Sequence, residues 1–440
     1  MTNSIGIRRE DKSEWERRVP LTPAHVRRLI ADHGIQVYVQ PSAQRAFPDK
    51  AFEEAGAIVQ DDLSPCNIIM GIKEIPSAHF EQNKTYLFFS HTIKGQPYNM
   101  PMLKCMMKKK CQLIDYERIV DDKGRRLVLF GWHAGLSGMI ESLHALGRRL
   151  RAEGVEDTRN PFIELRQPYR YRDLEEARAD LRRIGEKIAR DGLPGSVTPL
   201  IVGFLGYGNV SRGAQELLGC LPVQEVTPGE LLTLRSGSPS GKVVYKAVFK
   251  EEDTVEPIDP AAAFSLPHYY KHPELYRANF SRYLPHITVL VNGVYWDERY
   301  PVLVTTEAVK DLYAAQKPPT LRVLGDITCD IEGSIAMTRK PTLPDSPCYV
   351  YDTVSDTIED GFDNLRGPIV MAVEILPTEF PIESSQHFGD SLLPFMPALA
   401  AGEFEGDYSG CLLPDPIRTA VILYQGELTE SYRYLEKFVS

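Results

Sequence analysis

The apolar positions of this chain fall into two kinds of run, short continuous ones and ones with helical spacing, and the two kinds alternate. "IGIRRE" (5–10) reads as a strand, "LTPAHVRRLIADHG" (21–34) as a helix, and "IQVYVQ" (35–40) as the next strand. In the helix Thr22 can cap, Pro23 suits the first turn, and Gly34 can end it, while Val26, Leu29 and Ile30 supply one apolar face. Then follow a helix in "AFEEAGA" (51–57), strands in "NIIMGIK" (67–73) and "TYLFFSH" (85–91), a helix in "NMPMLKCMMKKK" (99–110) and a strand in "CQLIDYE" (111–117). Strands alternating with helices predict a largely parallel sheet with covered faces.

A long helix is expected from "GWHAGLSGMIESLHALGRRLRAEG" (131–154). Gly135 and Gly138 are costly there unless another backbone packs close, so a tight contact is expected near its start. Residues 151–172 read as a polar connection and 172–191 as a charged amphipathic helix. A fresh α/β unit opens at "TPLIVGFLGYGNVSRGAQELLGC" (198–220): an apolar strand, a glycine-rich turn, a helix. After about residue 345 the chain is loop-rich, and "SSQHFGDSLLPFMPALAAG" (384–402) reads as amphipathic helix able to return to the first unit.

These runs predict an α/β protein of two Rossmann-like domains with mainly parallel sheets and an active-site cleft between them. The expected boundaries are 1–160 plus 350–440 for a substrate domain, 195–349 for a dinucleotide-binding domain, and 161–194 for a linker and connecting helix. The 440 residues are too many for one ordinary core.

Composition adds mostly exclusions. A net charge of −10 argues against a nucleic-acid partner, and "KKK" at 108–110 is too short to change that. No stretch of 18 apolar residues offers a membrane span, and the N-terminus has no apolar signal region, so a cytoplasmic location is expected. Seven widely spaced cysteines with no CxxC suggest reduced thiols and no zinc site. His268 and His272 lie between prolines and read as surface residues, so no metal is expected.

The candidate chemistry lies at strand ends. Lys73 and His91 follow two apolar runs and should leave neighbouring strands side by side. A lysine, ordinarily near about 10.4, moves toward neutrality when partly buried beside another cation, and histidine is already close, so the pair can exchange protons. Arg18 offers a planar fork for a carboxylate, or else pairs with Glu14 on its own loop. Glu117 can hold an ammonium or tune the pair.

In the second unit Gly206 and Gly208 form half of a dinucleotide fingerprint, in which a tight turn lets the backbone and a helix N-terminus approach a pyrophosphate. Ser211 stands where a third glycine would be. The next strand, "PVQEVT" (222–227), is expected to place Thr227 where an NAD-preferring fold carries an acid, which leans toward NADPH, whereas a slip of two residues would put Glu225 there. Asn292, Asp326 and Asp330 stand near later strand ends and either face the ligand or only cap the following loop.

"IGIRREDKSEWERRVPLTP", "GIKE", "YLFFSHTIK", "LIDYERIVDDKGRRLVLFGWHAG", "GYGNVSRGAQE" and "FPIESSQHFGDSLLPF" occur in order along the chain. With "YKHPELYRANFSRYLPHITVLVNGVYW" and "GDITCDIEGSI" between them, the sequence resembles the lysine–2-oxoglutarate reductase domain of bifunctional aminoadipic semialdehyde synthase. It is more distantly similar to the fungal saccharopine dehydrogenases and alanine dehydrogenase. The resemblance implies reductive condensation of L-lysine with 2-oxoglutarate to saccharopine, with NADPH as cofactor in preference to NADH. It implies Lys73 and His91 as acid–base pair, Arg18, Lys94, Glu117 and Arg126 as substrate positions, and Gly203, Gly206 and Gly208, with Asn209, as the dinucleotide turn.

Trp132-His133 stands where the resembled domains carry Gln-Trp, so His133 either touches substrate or caps the long helix. The saccharopine-cleaving half of the bifunctional family has no counterpart, which leaves a stand-alone reductase or a piece of a longer protein. A separate saccharopine-cleaving dehydrogenase and a second copy of the chain are candidate partners. An opine- or alanine-type dehydrogenase, and a nucleotide-binding regulator without catalysis, are the alternative readings.

Overall fold

The structure, a computed structural model, describes residues 4–439. Among them, strands β1 (Ile5–Ile7), β2 (Val37–Val39), β3 (Ile58–Val59), β4 (Ile68–Met70), β5 (Thr85–Phe88) and β6 (Gln112–Asp115) come first. The middle of the chain holds β7 (Leu200–Leu205), β8 (Val223–Glu225), β9 (Val244–Phe249), β10 (Val255–Pro257), β11 (Tyr276–Ala278), β12 (Val289–Asn292) and β13 (Val323–Asp326). It continues with β14 (Cys348–Asp352), β15 (Thr357–Asp360) and β16 (Ile369–Met371), and the chain closes with β17 (Val421–Tyr424) and β18 (Glu427–Leu428).

Two compact units result: one runs to Phe130 and resumes at Pro381, and the other is Gly131–Phe380. The first unit has an eight-stranded sheet in the order β18-β17-β6-β5-β4-β1-β2-β3. Its strands β1 to β6 pair in parallel, and β17 and β18 add an antiparallel edge. β1, β2, β4, β5 and β6 are buried along their whole length, which is why they read as continuous apolar runs and not as alternating ones. The helix Pro23–His33 begins after Thr22, whose backbone N–H donates to Nδ1 of His25, and ends at Gly34 in the left-handed region at φ +63°.

The second unit repeats the plan, with the order β15-β14-β16-β13-β12-β7-β9-β8. Six of its strands are parallel, and β14 and β15 form the antiparallel edge. In both sheets the strand order reverses beside the first strand, between β1 and β4 and between β7 and β12. That is where ligands bind in open α/β sheets, outside the carboxyl ends of the strands.

The units divide at different places from the sequence boundaries. Residues 131–160, 161–194 and 350–380 all pack in the second unit. The long helix Gly131–Ala152 is the reason: a Cβ on Gly135 would stand 2.0 Å from the carbonyl oxygen of Val210, and one on Gly213 2.1 Å from that of Trp132. The glycines therefore seat this helix backbone to backbone on the helix Asn209–Leu218. Gly138 instead makes room for the Ile327 side chain, and Gly325 of β13 for that of Ser142. The return of the chain is as expected, since the helix Pro381–Leu392 lies in the first unit, where Ser385 Oγ accepts the Val19 N–H at 3.0 Å.

Candidate active site

In the first unit the switch point collects an unusual density of charge. The chain leaving β1 carries Glu10, Lys12, Glu16 and Arg18; the turn after β4 carries Lys73 and Glu74; His91 follows β5; Glu117 follows β6. β4 and β5 are paired neighbours, so Lys73 and His91 do leave adjacent strand ends.

Burial, then the nearby Arg18, lowers the pKa of the Lys73 ammonium against the opposing pull of Glu16 and Glu74. Burial, partly offset by Glu74 and Glu117 and reinforced by Lys73, also lowers that of the His91 imidazole. Two bases thus sit in one field that shifts each toward its neutral form, with four carboxylates around them.

His91 is held in a left-handed backbone conformation, φ +50°, that side chains larger than glycine rarely adopt. Its surroundings fix it there. Asn99 Nδ2 donates to its carbonyl at 3.1 Å, and the Phe89 ring stacks against its own at 6.2 Å between centroids. Ser90 donates its N–H to Asp115 Oδ2 at 3.1 Å and its hydroxyl to the same oxygen, while Ser90 and Thr92 share a 2.8 Å hydroxyl contact. Burial pushes the Asp115 carboxyl up to about 6, against these donors.

Arg18 is buried and pairs with Glu16, not with Glu14: Nε donates to Oε1 at 2.8 Å and Nη2 to Oε2 at 2.6 Å. Residues 16–18 are extended, so Glu16 and Arg18 point the same way and are buried while Arg17 between them is exposed, and Glu14 stands exposed in the preceding turn. The guanidinium lies 4.1 Å from the centre of the Phe130 ring, itself stacked on Phe388. Glu117 and Arg126 form an ion pair, with the arginine half exposed. Lys94 is exposed in the turn that Gly95 closes by its N–H to Thr92. His133 is buried in the first turn of the long helix, in the second unit.

Sequence reasoning missed Glu10, Lys12, Glu16 and Glu74. Lys12 Nζ donates to Glu74 Oε2 at 2.6 Å, and this bond, against burial, keeps the Glu74 carboxyl below its usual range. The signal was present in "REDKSEWER", a loop dense in both charges directly after a strand at the switch point.

The second unit has a cavity of about 450 Å³ at its own switch point, lined by Gly206, Tyr207, Gly208, Lys250, Glu251 and Gly293 among others. Gly206 ends β7 at φ +86°, and a Cβ there would crowd Val294 and the Gly293 carbonyl. Gly208 borders open space and precedes the helix that begins at Asn209. Together they offer bare backbone and a helix N-terminus to an anionic group, which fits a dinucleotide pyrophosphate. Ser211, in place of a third glycine, is buried with its N–H 3.3 Å from the position of a Cβ on Gly293, so the glycine allowing close approach sits on the neighbouring strand.

Gly203, Thr227, Asn292, Asp326 and Asp330 are not among the residues lining this cavity. Gly203 lies inside β7, where a Cβ would meet Ile287, Phe249 and Leu290; it serves packing. Thr227 caps the helix Pro228–Leu234 with Glu230, and it follows β8, the sheet edge. The strand beside β7 is β9, and its end carries Lys250 and Glu251, with Glu251 accepting from Tyr270 at 2.6 Å and Tyr207 at 3.2 Å. Asn292 and Asp326 are buried and bound to each other at 2.8 Å and to Thr328, Ser334 and Thr338, so they fix the loop. Asp330 lies farther along that loop, against Gly333.

Residues 6–137 match the family described as alanine dehydrogenase/PNT, N-terminal domain. Along 98% of its length the chain is also homologous to part of the alpha-aminoadipic semialdehyde synthases, 40% identical to that of Arabidopsis thaliana and 35% to the mitochondrial one of Bos taurus. It spans only 41% and 47% of those two proteins. A saccharopine dehydrogenase [NAD(+), L-lysine-forming] of Emericella nidulans is 25% identical over 89% of this chain and 91% of its own. Among solved structures, an L-alanine dehydrogenase superposes with a TM-score of 0.58 at 18% identity, covering 99% of this chain and all of that one, which shows a shared fold.

Proposed function

We propose that the chain catalyses the reductive condensation of L-lysine with 2-oxoglutarate to saccharopine, using NADPH. The observation that carries this reading is the pair of bases, Lys73 and His91, at adjacent strand ends of the first unit's switch point with both ammonium and imidazolium disfavoured. The homology to alpha-aminoadipic semialdehyde synthases and the likeness to lysine-forming saccharopine dehydrogenases support the choice of substrates.

The substrate amine arrives as an ammonium and must lose a proton before it attacks the ketone carbon. The neutral forms of His91 and Lys73 take it. The carbinolamine then expels its hydroxyl as water, which needs a proton delivered to that oxygen, and the same pair returns it. Arg18, Lys94 and Arg126 would receive carboxylates and Glu117 an ammonium, with Arg18 exchanging its bond to Glu16, and Arg126 and Glu117 their bond to each other, for substrate. Gly206, Gly208 and Asn209 would hold the cofactor's pyrophosphate, with Lys250 near the ribose. When bound, NADPH supplies the hydride that turns the imine into a secondary amine. At the end of β9 Lys250 would suit a 2′-phosphate and the adjoining Glu251 a ribose 2′-OH, so the choice of NADPH rests on the resemblance to the reductase domains and is tested against NADH.

The test is NADPH oxidation with 2-oxoglutarate, with and without L-lysine, followed by mass analysis of the product. Oxidation requiring both substrates and yielding saccharopine is expected. Turnover only with another amine would move the assignment to an opine- or alanine-type reaction, and silence across a panel of amines and oxo acids would overturn catalysis.

A further inference from the structure

We propose that Glu10 is a positioning residue for Lys73, gripping the backbone of its turn from the neighbouring strand end, on the side opposite the strand that delivers His91. The inference rests on the role given to Lys73 above.

β1 and β4 leave the sheet side by side, with the Arg8 N–H bonded to the Met70 carbonyl at 3.0 Å. The chain beyond β1 then bends over the chain beyond β4. There the Glu10 carboxylate accepts the Ile72 N–H on Oε1 at 2.7 Å and the Lys73 N–H on Oε2 at 3.1 Å. These two donors have left the ladder and would otherwise lack acceptors near the mouth of a charged site. Gly71 makes the approach feasible, since a Cβ there would stand 3.2 Å from both Glu10 Oε1 and Arg8 Cδ. On its other side the same turn is held by β5's extension: Phe89 donates its N–H to the Ile72 carbonyl at 3.0 Å, two residues before His91. One peptide segment is therefore clamped between Glu10 and the strand that carries the second base.

Glu10 faces Arg8 on its own segment, Glu16 farther along the same loop, and the Tyr116 hydroxyl beyond β6. Burial, and then Glu16, push its carboxyl up to about 7, although Arg8 and the two N–H groups oppose this. Ionised, it accepts both N–H bonds with full charge. Protonated, one oxygen becomes a hydroxyl and the grip on one donor weakens. The grip on the turn is thus coupled to pH near neutrality.

The experiment compares wild type with Glu10→Gln, which keeps size but offers only one acceptor oxygen. Amide hydrogen exchange is read on a peptide covering residues 68–76 at pH 8, together with kcat and KM. Expected are exchange at Ile72 and Lys73 faster by about 10-fold and kcat lower by about 100-fold at unchanged KM for NADPH, with the ionisation near neutrality gone from the rate profile. Unchanged exchange and unchanged kcat would overturn the proposal.

If Glu10→Gln does not fold, wild-type exchange corrected for intrinsic rates decides. Weaker protection at pH 6 than at pH 8 supports the grip, and equal protection overturns it. Exchange that responds as expected in a protein inactive toward lysine and 2-oxoglutarate would keep the grip and sink the substrate assignment.

Discussion

Arg18 and Glu16 meet edge to edge below the protein surface, through bonds of 2.8 and 2.6 Å, with the Phe130 ring against the guanidinium. Both side chains are at most 4% exposed, so neither charge has water to fall back on. Removing one partner strands the other. Arg18→Leu should lower the unfolding free energy by about 3–5 kcal/mol, read by urea denaturation. The double variant Arg18→Leu, Glu16→Leu should recover much of that loss. Equal destabilisation in single and double variants would show that packing on Phe130, not the charge pair, carries the effect.

Lys73→Met keeps the length of the side chain and removes its proton. We expect kcat to fall by about 10²–10⁴-fold, with NADPH binding by fluorescence titration unchanged. The wild-type pH–rate profile should place the protonation of His91 on the acid side of 6.5, because burial lowers its pKa. An unchanged rate in Lys73→Met would remove it from proton transfer.

Lys250, at the end of the strand beside β7, lines the second unit's cavity. A charge-assisted contact to a 2′-phosphate contributes about 1.5–3 kcal/mol. Lys250→Ala should therefore raise KM for NADPH by about 10–100-fold and leave that for NADH nearly unchanged. Equal effects on both cofactors would place the 2′-phosphate elsewhere or assign the chain to NADH.

Local signals in the sequence foretold local structure well. The apolar runs before Lys73 and His91 became β4 and β5, and Gly34 and Gly206 took the left-handed positions their turns require. Lateral order was not legible. Thr227 follows the next strand in sequence, but β9 inserts between β8 and β7, and no periodicity in "PVQEVT" could report that. The acids Glu10 and Glu16 were missed for a related reason, since their partners lie across strand ends or at alternate positions of an extended loop. Asn292 and Asp326 were correctly placed at strand ends, yet their side chains turn to each other, a choice made by Thr328, Ser334 and Thr338 in the loop beyond.

The glycine seam between the helices Gly131–Ala152 and Asn209–Leu218 can be tested by adding one carbon. A Cβ at Gly213 would stand 2.1 Å from the Trp132 carbonyl oxygen, and backbone cannot rotate away as a side chain would. Gly213→Ala should cost about 1–3 kcal/mol or more, with the chemical midpoint lowered. Gly195→Ala, where nothing lies within 4 Å of the new carbon, is the control and should change little.

Glu141 and Glu379 are both buried in the second unit, one on the long helix and the other near its end of the chain segment. Gln167 Nε2 donates to Glu141 Oε1 at 3.2 Å, and Glu141 is the acidic neighbour that acts on Glu379. Burial raises Glu141 to about 8, and burial with Glu141 as neighbour raises Glu379 well above its ordinary range. In the unfolded chain both ionise near 4.5. Between that pH and 8 the folded state binds protons that the unfolded state has released, so stability falls as pH rises through this window. Glu141→Gln supplies a permanent donor toward Glu379 and removes one titration. Its Tm should decline less steeply than wild type from pH 5 to 8 and exceed it at pH 8, with about 2–4 °C for each 1 kcal/mol gained. Calorimetric curves that run parallel for the two proteins would place the pH dependence on other groups.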